Sequence, residues 1–182
     1  MYKRQVLSEV LCAKIKKVKL LITDVDGVLT DGGIILDDVG MEYKRFQVKD
    51  GQIIPFLKKY GFTVGAVTGR DVAVVRQRCE QMNLDFHYHG VRNKLDLIVQ
   101  VIKDFNLSLD QCAYIGDDII DLDVLSKVGF SAAPKDALPY VCSRVDFVCT
   151  LEGGKGAFRE VADTLLEVQG KLSAALHSLD IA

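Results

Sequence analysis

The sequence predicts an α/β fold, a doubly wound parallel sheet in a three-layer sandwich that carries a β-hairpin flap. Three observations lead there. Short apolar runs at 20–25, 63–67, 86–88, 111–115, 129–132 and 146–148 read as buried strands. Amphipathic stretches at helical spacing fill most of the gaps, at 52–60, 71–82, 94–105, 119–127 and 156–169, and strands separated by helices pair in parallel through right-handed crossovers. Polar and acidic residues gather where the strands end, which is the edge at which sheets of this kind bind ligands.

The elements follow in order. Residues 5–17 alternate apolar and charged positions at helical spacing and form a leading helix within segment 1–18, with Lys14, Lys16, Lys17 and Lys19 as its solvated end. The first strand runs into Asp24-Val25-Asp26-Gly27-Val28-Leu29-Thr30-Asp31. Two carboxylates one residue apart at a strand end repel each other unless a cation lies between them, although Asp-x-Asp also occurs in acidic turns. Residues 32–47 change pattern, with Ile34-Ile35-Leu36, a turn over 37–40 and then Glu42-Tyr43-Lys44-Arg45-Phe46, and read as the hairpin flap. The second strand runs into Thr68-Gly69-Arg70, where a hydroxyl and the free N–H groups of a helix start can bind phosphate. Lys94 opens the next helix. A later strand ends in Gly116-Asp117-Asp118-Ile119-Ile120-Asp121, and residues 173–182 form a tail.

A chain of 182 residues with 49% hydrophobic content supports one domain spanning 1–182, and a net charge of −2 gives no pull toward nucleic acid or an anionic membrane. The five cysteines, Cys12, Cys79, Cys112, Cys142 and Cys149, contain no Cys-x-x-Cys, which fits reduced thiols and a cytoplasmic location. Val10-Leu11-Cys12-Ala13 has a faint likeness to a lipoprotein cleavage site, but Glu9 and Lys14 interrupt the apolar run that a signal peptide requires. No stretch is long enough for a transmembrane helix. His87 and His89 have the spacing of a metal pair; with no third ligand nearby they read as strand-end residues.

The order Asp-x-Asp, then Thr68, then Lys94, then Gly-Asp-Asp-x-x-Asp resembles the haloacid dehalogenase superfamily of phosphohydrolases. The stretch 22–45, the segment Phe46-Gln47-Val48-Lys49-Asp50-Gly51 and the tail Gly153-Gly154-Lys155-Gly156-Ala157-Phe158-Arg159-Glu160-Val161 are similar to its small capless branch of sugar-acid phosphate phosphatases. The likeness covers roughly 19–172 and departs at Ile53, where the branch pattern has a second glycine. It implies Asp24 as the nucleophile of an aspartyl-phosphate route and Mg2+ as the cofactor. The cation is expected on Asp24, the backbone carbonyl of Asp26 and Asp117, with Asp118 bound directly or through water. Asp26 is expected to serve as general acid and then base. Thr68, Gly69 and Lys94 would hold the phosphoryl oxygens, and Asp121 either orients Lys94 or caps the following helix.

Arg70 and Arg78 are the remaining candidates for substrate binding, with Arg76 and Lys155 as further rim cations. At the position of Arg70 the branch pairs arginine with an eight-carbon sugar acid and glutamate with nine-carbon ones. The expected substrate is therefore 3-deoxy-D-manno-octulosonate 8-phosphate, a lipopolysaccharide precursor, and the alternative is a nonulosonate 9-phosphate. Neither inter-strand gap is long enough for a cap domain, so the resemblance also implies a homotetramer whose flaps help to close each site. A phospho-receiver module shares the residue types but puts its adjacent acidic pair after the first strand; here that pair follows Gly116.

Overall fold

In the computed structural model, which describes residues 7–177, the chain opens with α1 (Glu9–Lys17), β1 (Leu20–Thr23), the hairpin strands β2 (Ile35–Leu36) and β3 (Glu42–Tyr43), then α2 (Val48–Gln52) and α3 (Ile54–Lys59). It continues through β4 (Thr63–Val67), α4 (Ala73–Gln81), β5 (Phe86–Tyr88), α5 (Lys94–Asp104), β6 (Cys112–Ile115) and α6 (Leu122–Leu125). The last elements are β7 (Phe130–Ala133), α7 (Pro139–Cys142), β8 (Phe147–Val148), α8 (Ala157–Val168) and α9 (Leu172–His177). Six strands form one parallel sheet in the order β5-β4-β1-β6-β7-β8, and β2 pairs with β3 in a separate antiparallel hairpin.

Alternation along the strands builds the three layers. Leu21, Val64, Ala66, Ala113 and Ile115 point to one face, where α1, α3, α4 and α8 cover them with Ile15, Leu57, Val75 and Phe158. Leu20, Ile22, Val67, Cys112 and Tyr114 point to the other, covered by Ile98 and Ile102 of α5, Val124 of α6 and Val141 of α7. Gly65 has a packing role, because a Cβ there would lie 2.2 Å from the Phe86 ring. The wound order leaves β1 between β4 and β6, so the ends of all three open onto one crevice.

Several boundaries differ from the sequence reading. The leading helix starts at Glu9 with Ser8 as its N-cap, and the expected residues before 7 lie outside the described residues. The helix expected over 52–60 is α3, 54–59, and a separate short helix, α2, precedes it; Pro55 sits in the first turn of α3, where its missing N–H leaves no helical bond across the break at Ile53. The helix expected from 119 begins as a 3-10 turn, Ile119–Asp121, that passes into α6. Part of the expected tail is helical, as α9. The flap exists but is short, with Ile34, Ile35, Leu36, Val39, Met41 and Tyr43 all more than half exposed.

Candidate active site

β1 stops at Thr23, yet the Asp24 N–H still donates to the Ile115 carbonyl at 2.9 Å, which fixes Asp24 at the carboxyl edge of the central strand. Its side chain is 5% exposed. Lys94, the first residue of α5, enters from the neighbouring crossover with a fully buried side chain. Its ammonium donates to Asp24 Oδ1 at 2.8 Å, to Asp121 Oδ1 at 2.7 Å and to the Tyr114 hydroxyl at 3.2 Å. Burial pulls the lysine pKa down, but the two carboxylates outweigh it and hold the group charged. Asp121 both orients the lysine and fixes the turn. Its Oδ1 also accepts the Tyr114 hydroxyl at 2.6 Å, and its Oδ2 accepts the N–H groups of Asp117 and Asp118 at 3.1 and 3.2 Å.

Asp117 projects into the same space through the gap left by Gly27. That glycine has φ +86°, and a Cβ on it would sit 2.0 Å from Asp117 Oδ2. Among the described residues Asp117 Oδ1 is buried with no hydrogen-bond partner. Asp24, Asp117 and Asp121 each bring an oxygen within 4.8 Å of the others. One ammonium among three carboxylates leaves a negative excess. Burial, with repulsion from neighbouring aspartates, pushes Asp24 up to about 7 and Asp117 up to about 8 from the usual 3.8. A hard divalent cation removes that cost, so the residues present fit Mg2+, with Asp24 and the orphaned oxygen of Asp117 as the carboxylates that would hold it.

Asp26 follows in a tight turn in which the Val25 carbonyl accepts the N–H groups of Val28, Leu29 and Thr30. Its Oδ1 takes the Lys44 ammonium from the flap, and its Oδ2 is buried and unpartnered among the described residues. Thr68, 1% exposed, sits at the end of β4, where its Oγ1 accepts the Arg70 N–H at 3.3 Å. Asp24, Asp26, Thr68, Gly69, Arg70, Asp117, Asp118 and Ile120 line one cleft of about 250 Å³, with Lys94 beneath its floor. At the rim, Arg70 Nη2 donates to Glu42 Oε2 of the flap at 2.7 Å.

Other candidates fall elsewhere. Asp118 lines the cleft, but its Oδ1 accepts the Ile119 N–H at 2.6 Å and the Tyr140 hydroxyl at 3.3 Å, so as placed it caps the 3-10 turn. Arg78 is absent from the cleft wall; it donates to the Gln47 carbonyl at 3.3 Å and lies 5.7 Å from the Phe46 ring centre. Arg76 is paired with Asp71 and Lys155 with Glu152. Ile53 is 3% exposed with φ −80°, so it belongs to the core and no wall of the cleft depends on a glycine there. His87 and His89 do have a third partner, contrary to the sequence reading, since Cys79 of α4 lies across the sheet face from them. The two rings bond each other at 2.8 Å, and burial pushes the Cys79 thiol up to about 11. Sequence spacing also hid Tyr114, Glu42 and Lys44, whose roles arise from pairings across the fold.

The glycine-rich segment at 153–156 braces the nucleophile loop. The Gly154 N–H donates to the Val28 carbonyl at 2.9 Å, and a Cβ on Gly153 would lie 2.0 Å from the Gly27 carbonyl oxygen.

A family model for haloacid dehalogenase-like hydrolases matches residues 88–157. The 3-deoxy-D-manno-octulosonate 8-phosphate phosphatase of Escherichia coli K12 is 42% identical over 163 residues, 90% of this chain and 87% of that protein. The Haemophilus influenzae protein of the same name is 40% identical over 160 residues, 88% of this chain and 89% of its own. Among solved structures, the Moraxella catarrhalis 3-deoxy-D-manno-octulosonate 8-phosphate phosphatase in complex with magnesium, phosphate and KDO superposes with TM-score 0.90 at 34% identity, covering 93% of this chain and 97% of that one. Identity of this level across nearly the whole length, on the same wound sheet, places the chain in the 3-deoxy-D-manno-octulosonate 8-phosphate phosphatase family of haloacid dehalogenase-like hydrolases.

Proposed function

We propose that the protein is a Mg2+-dependent phosphatase that hydrolyses 3-deoxy-D-manno-octulosonate 8-phosphate to the free sugar acid and inorganic phosphate. The observation that carries the mechanism is the convergence of Asp24, Asp26, Thr68 and Asp117 on one cleft over the buried Lys94. An Asp24 carboxylate oxygen attacks phosphorus, the bond from phosphorus to the sugar oxygen breaks, and Asp26 donates a proton to the departing alkoxide. In the second half Asp26 takes a proton from water, the resulting hydroxide attacks phosphorus, and the bond to Asp24 breaks to release phosphate. Thr68 and Lys94 hold phosphoryl oxygens through both halves. Asp24, the Asp26 backbone carbonyl and Asp117 would hold Mg2+, which would supply charge neutralisation for the anionic phosphate. Asp118 serves as a further ligand through water or as a support for the turn.

At the rim, Arg70 is the residue suited to the sugar-acid carboxylate, by bidentate pairing. The reading includes a cytoplasmic homotetramer. The exposed apolar side chains of the flap support the assembly, since a surface of this kind is normally covered. Light scattering at micromolar concentration should show a tetramer, and a fully active monomer would remove that part. Free phosphate release from the eight-carbon sugar acid phosphate, set against a nonulosonate 9-phosphate, tests the substrate. Asp24→Asn should keep the fold and lose turnover by at least about 10³-fold, as expected when a nucleophile is lost from a unit that acts together. Near-parental turnover in that variant would overturn the mechanism.

A further inference from the structure

The flap is more than a cover. Along 42–45 its side chains alternate, with Tyr43 and Arg45 turned outward and Glu42 and Lys44 turned in. The Lys44 side chain is 0% exposed and that of Glu42 is 11% exposed. Lys44 Nζ bonds Asp26 Oδ1 and lies 2.9 Å from Glu42 Oε1, while Glu42 Oε2 holds Arg70. A charged row therefore runs from Asp26 through the hairpin to the rim. Burial pulls the Lys44 pKa down, but pairing of the ammonium with the Asp26 and Glu42 carboxylates raises it net, so the ammonium stays protonated.

A short two-stranded hairpin gains little from burying such a row, because apolar side chains of similar volume often serve folding as well as a buried ion pair does. Its geometry serves the reaction instead. A free aspartate on a turn rotates about two bonds; with Oδ1 fastened to Lys44, Asp26 presents its unpartnered Oδ2 in one direction. We propose that Lys44, ion-paired with Glu42 of its own hairpin, is the positioning residue that aims Asp26 for proton transfer. This rests on the reading of Asp26 as the acid and base of the phosphatase.

The position of the proton in the reaction gives a readout that a structural role would not move. Departure of an alkoxide needs the proton that Asp26 supplies, whereas para-nitrophenolate leaves without one. We therefore compare the first half-reaction by pre-steady-state burst for Lys44→Met with Mg2+ saturating, using the sugar-acid phosphate and para-nitrophenyl phosphate. The burst on the sugar-acid phosphate should slow by about 10²-fold, the scale expected for loss or misplacement of a general acid, with KM changed less than about threefold. The para-nitrophenyl phosphate burst should stay within about threefold of the parent, since it needs no acid. Lys44→Arg, which keeps charge and reach, should recover most of the loss. Equal slowing on both substrates, or no slowing on either, would overturn the proposal. Should the sugar-acid phosphate prove a poor substrate of the parent enzyme, the substrate reading fails by itself, and glucose 6-phosphate serves as the alkyl substrate for the same comparison. Retained turnover in Asp24→Asn would instead remove the mechanism beneath both.

Discussion

At the scale of single residues, the candidate site is organised by one buried cation and the carboxylates around it. Lys94 has three partners, Asp24 at the end of β1, Tyr114 within β6 and Asp121 in the turn that follows β6, so the lysine ties β1 to β6 and to that turn. Arg70 offers the sharper test of recognition. Glu42 pairs with its guanidinium, so a sugar-acid carboxylate bound there would have to displace the flap's own carboxylate. Loss of a charge-assisted pair costs about 1.5 to 3 kcal/mol, so Arg70→Ala should lower kcat/KM for 3-deoxy-D-manno-octulosonate 8-phosphate by roughly 10- to 150-fold. Hydrolysis of para-nitrophenyl phosphate, which has no carboxylate, should fall far less. The measured quantity is the ratio of the two losses, and a ratio near one would take the specificity role away from Arg70.

At the scale of elements, what the sequence revealed and what it concealed divide by distance along the chain. Asp24, Thr68 and Asp117 were legible because each follows a strand-like run within a residue or two, and Lys94 because it opens the helix of a crossover; the wound topology then brings them together. Asp121 was half legible, since its capping task is local while its hold on Lys94 spans 27 positions, and the structure gives it both. Lys44, Tyr114 and Cys79 were not, because each works through a partner 7 to 20 positions away or on another layer, and periodicity carries no such information. The break at Ile53 was concealed for another reason. The apolar pair Ile53-Ile54 gives no sign of it, while Pro55 in the first turn of α3 lacks the N–H that a helical bond across the break would need. The glycine-rich segment before α8 was recognised as a motif, while its brace on the nucleophile loop needed coordinates. Gly153→Ala would place a methyl 2.0 Å from the Gly27 carbonyl oxygen, so the segment must move. We expect a stability loss of about 1 to 3 kcal/mol by urea unfolding, and with it a fall in kcat, because Gly27 carries the gap that admits Asp117. Unchanged stability and activity would show that the two loops are not coupled.

At the scale of the whole molecule, the acidic crevice links metal, pH and stability. Asp24 and Asp117 hold their protons more tightly in the fold than in the unfolded chain, with values raised from 3.8 to about 7 and about 8. Groups raised in this way favour the metal-free fold at low pH, and that contribution is lost as pH rises from about 4 through about 8. Mg2+ reverses the loss where the carboxylates are ionised. Saturation at roughly 100 times Kd adds about 2.7 kcal/mol, or about 5 to 10 °C in Tm for a domain of this size. The rise on adding Mg2+ to chelator-treated protein should therefore be larger at pH 8 than at pH 5.5 in thermal denaturation. Equal rises at both values would mean that these aspartates do not carry the linkage.

The same excess of negative charge has a consequence for anyone who tries to improve this protein. Without its cation, the crevice opposes the fold that contains it, and the simplest relief is to replace Asp117 or Asp24 by a neutral residue of similar shape. A laboratory selection for heat resistance run on metal-free protein would reward those substitutions first, and its hardiest survivors would be the variants least able to turn over substrate. Selection in the presence of Mg2+, or with turnover as a second filter, would steer the search toward the hairpin and the outer helices instead.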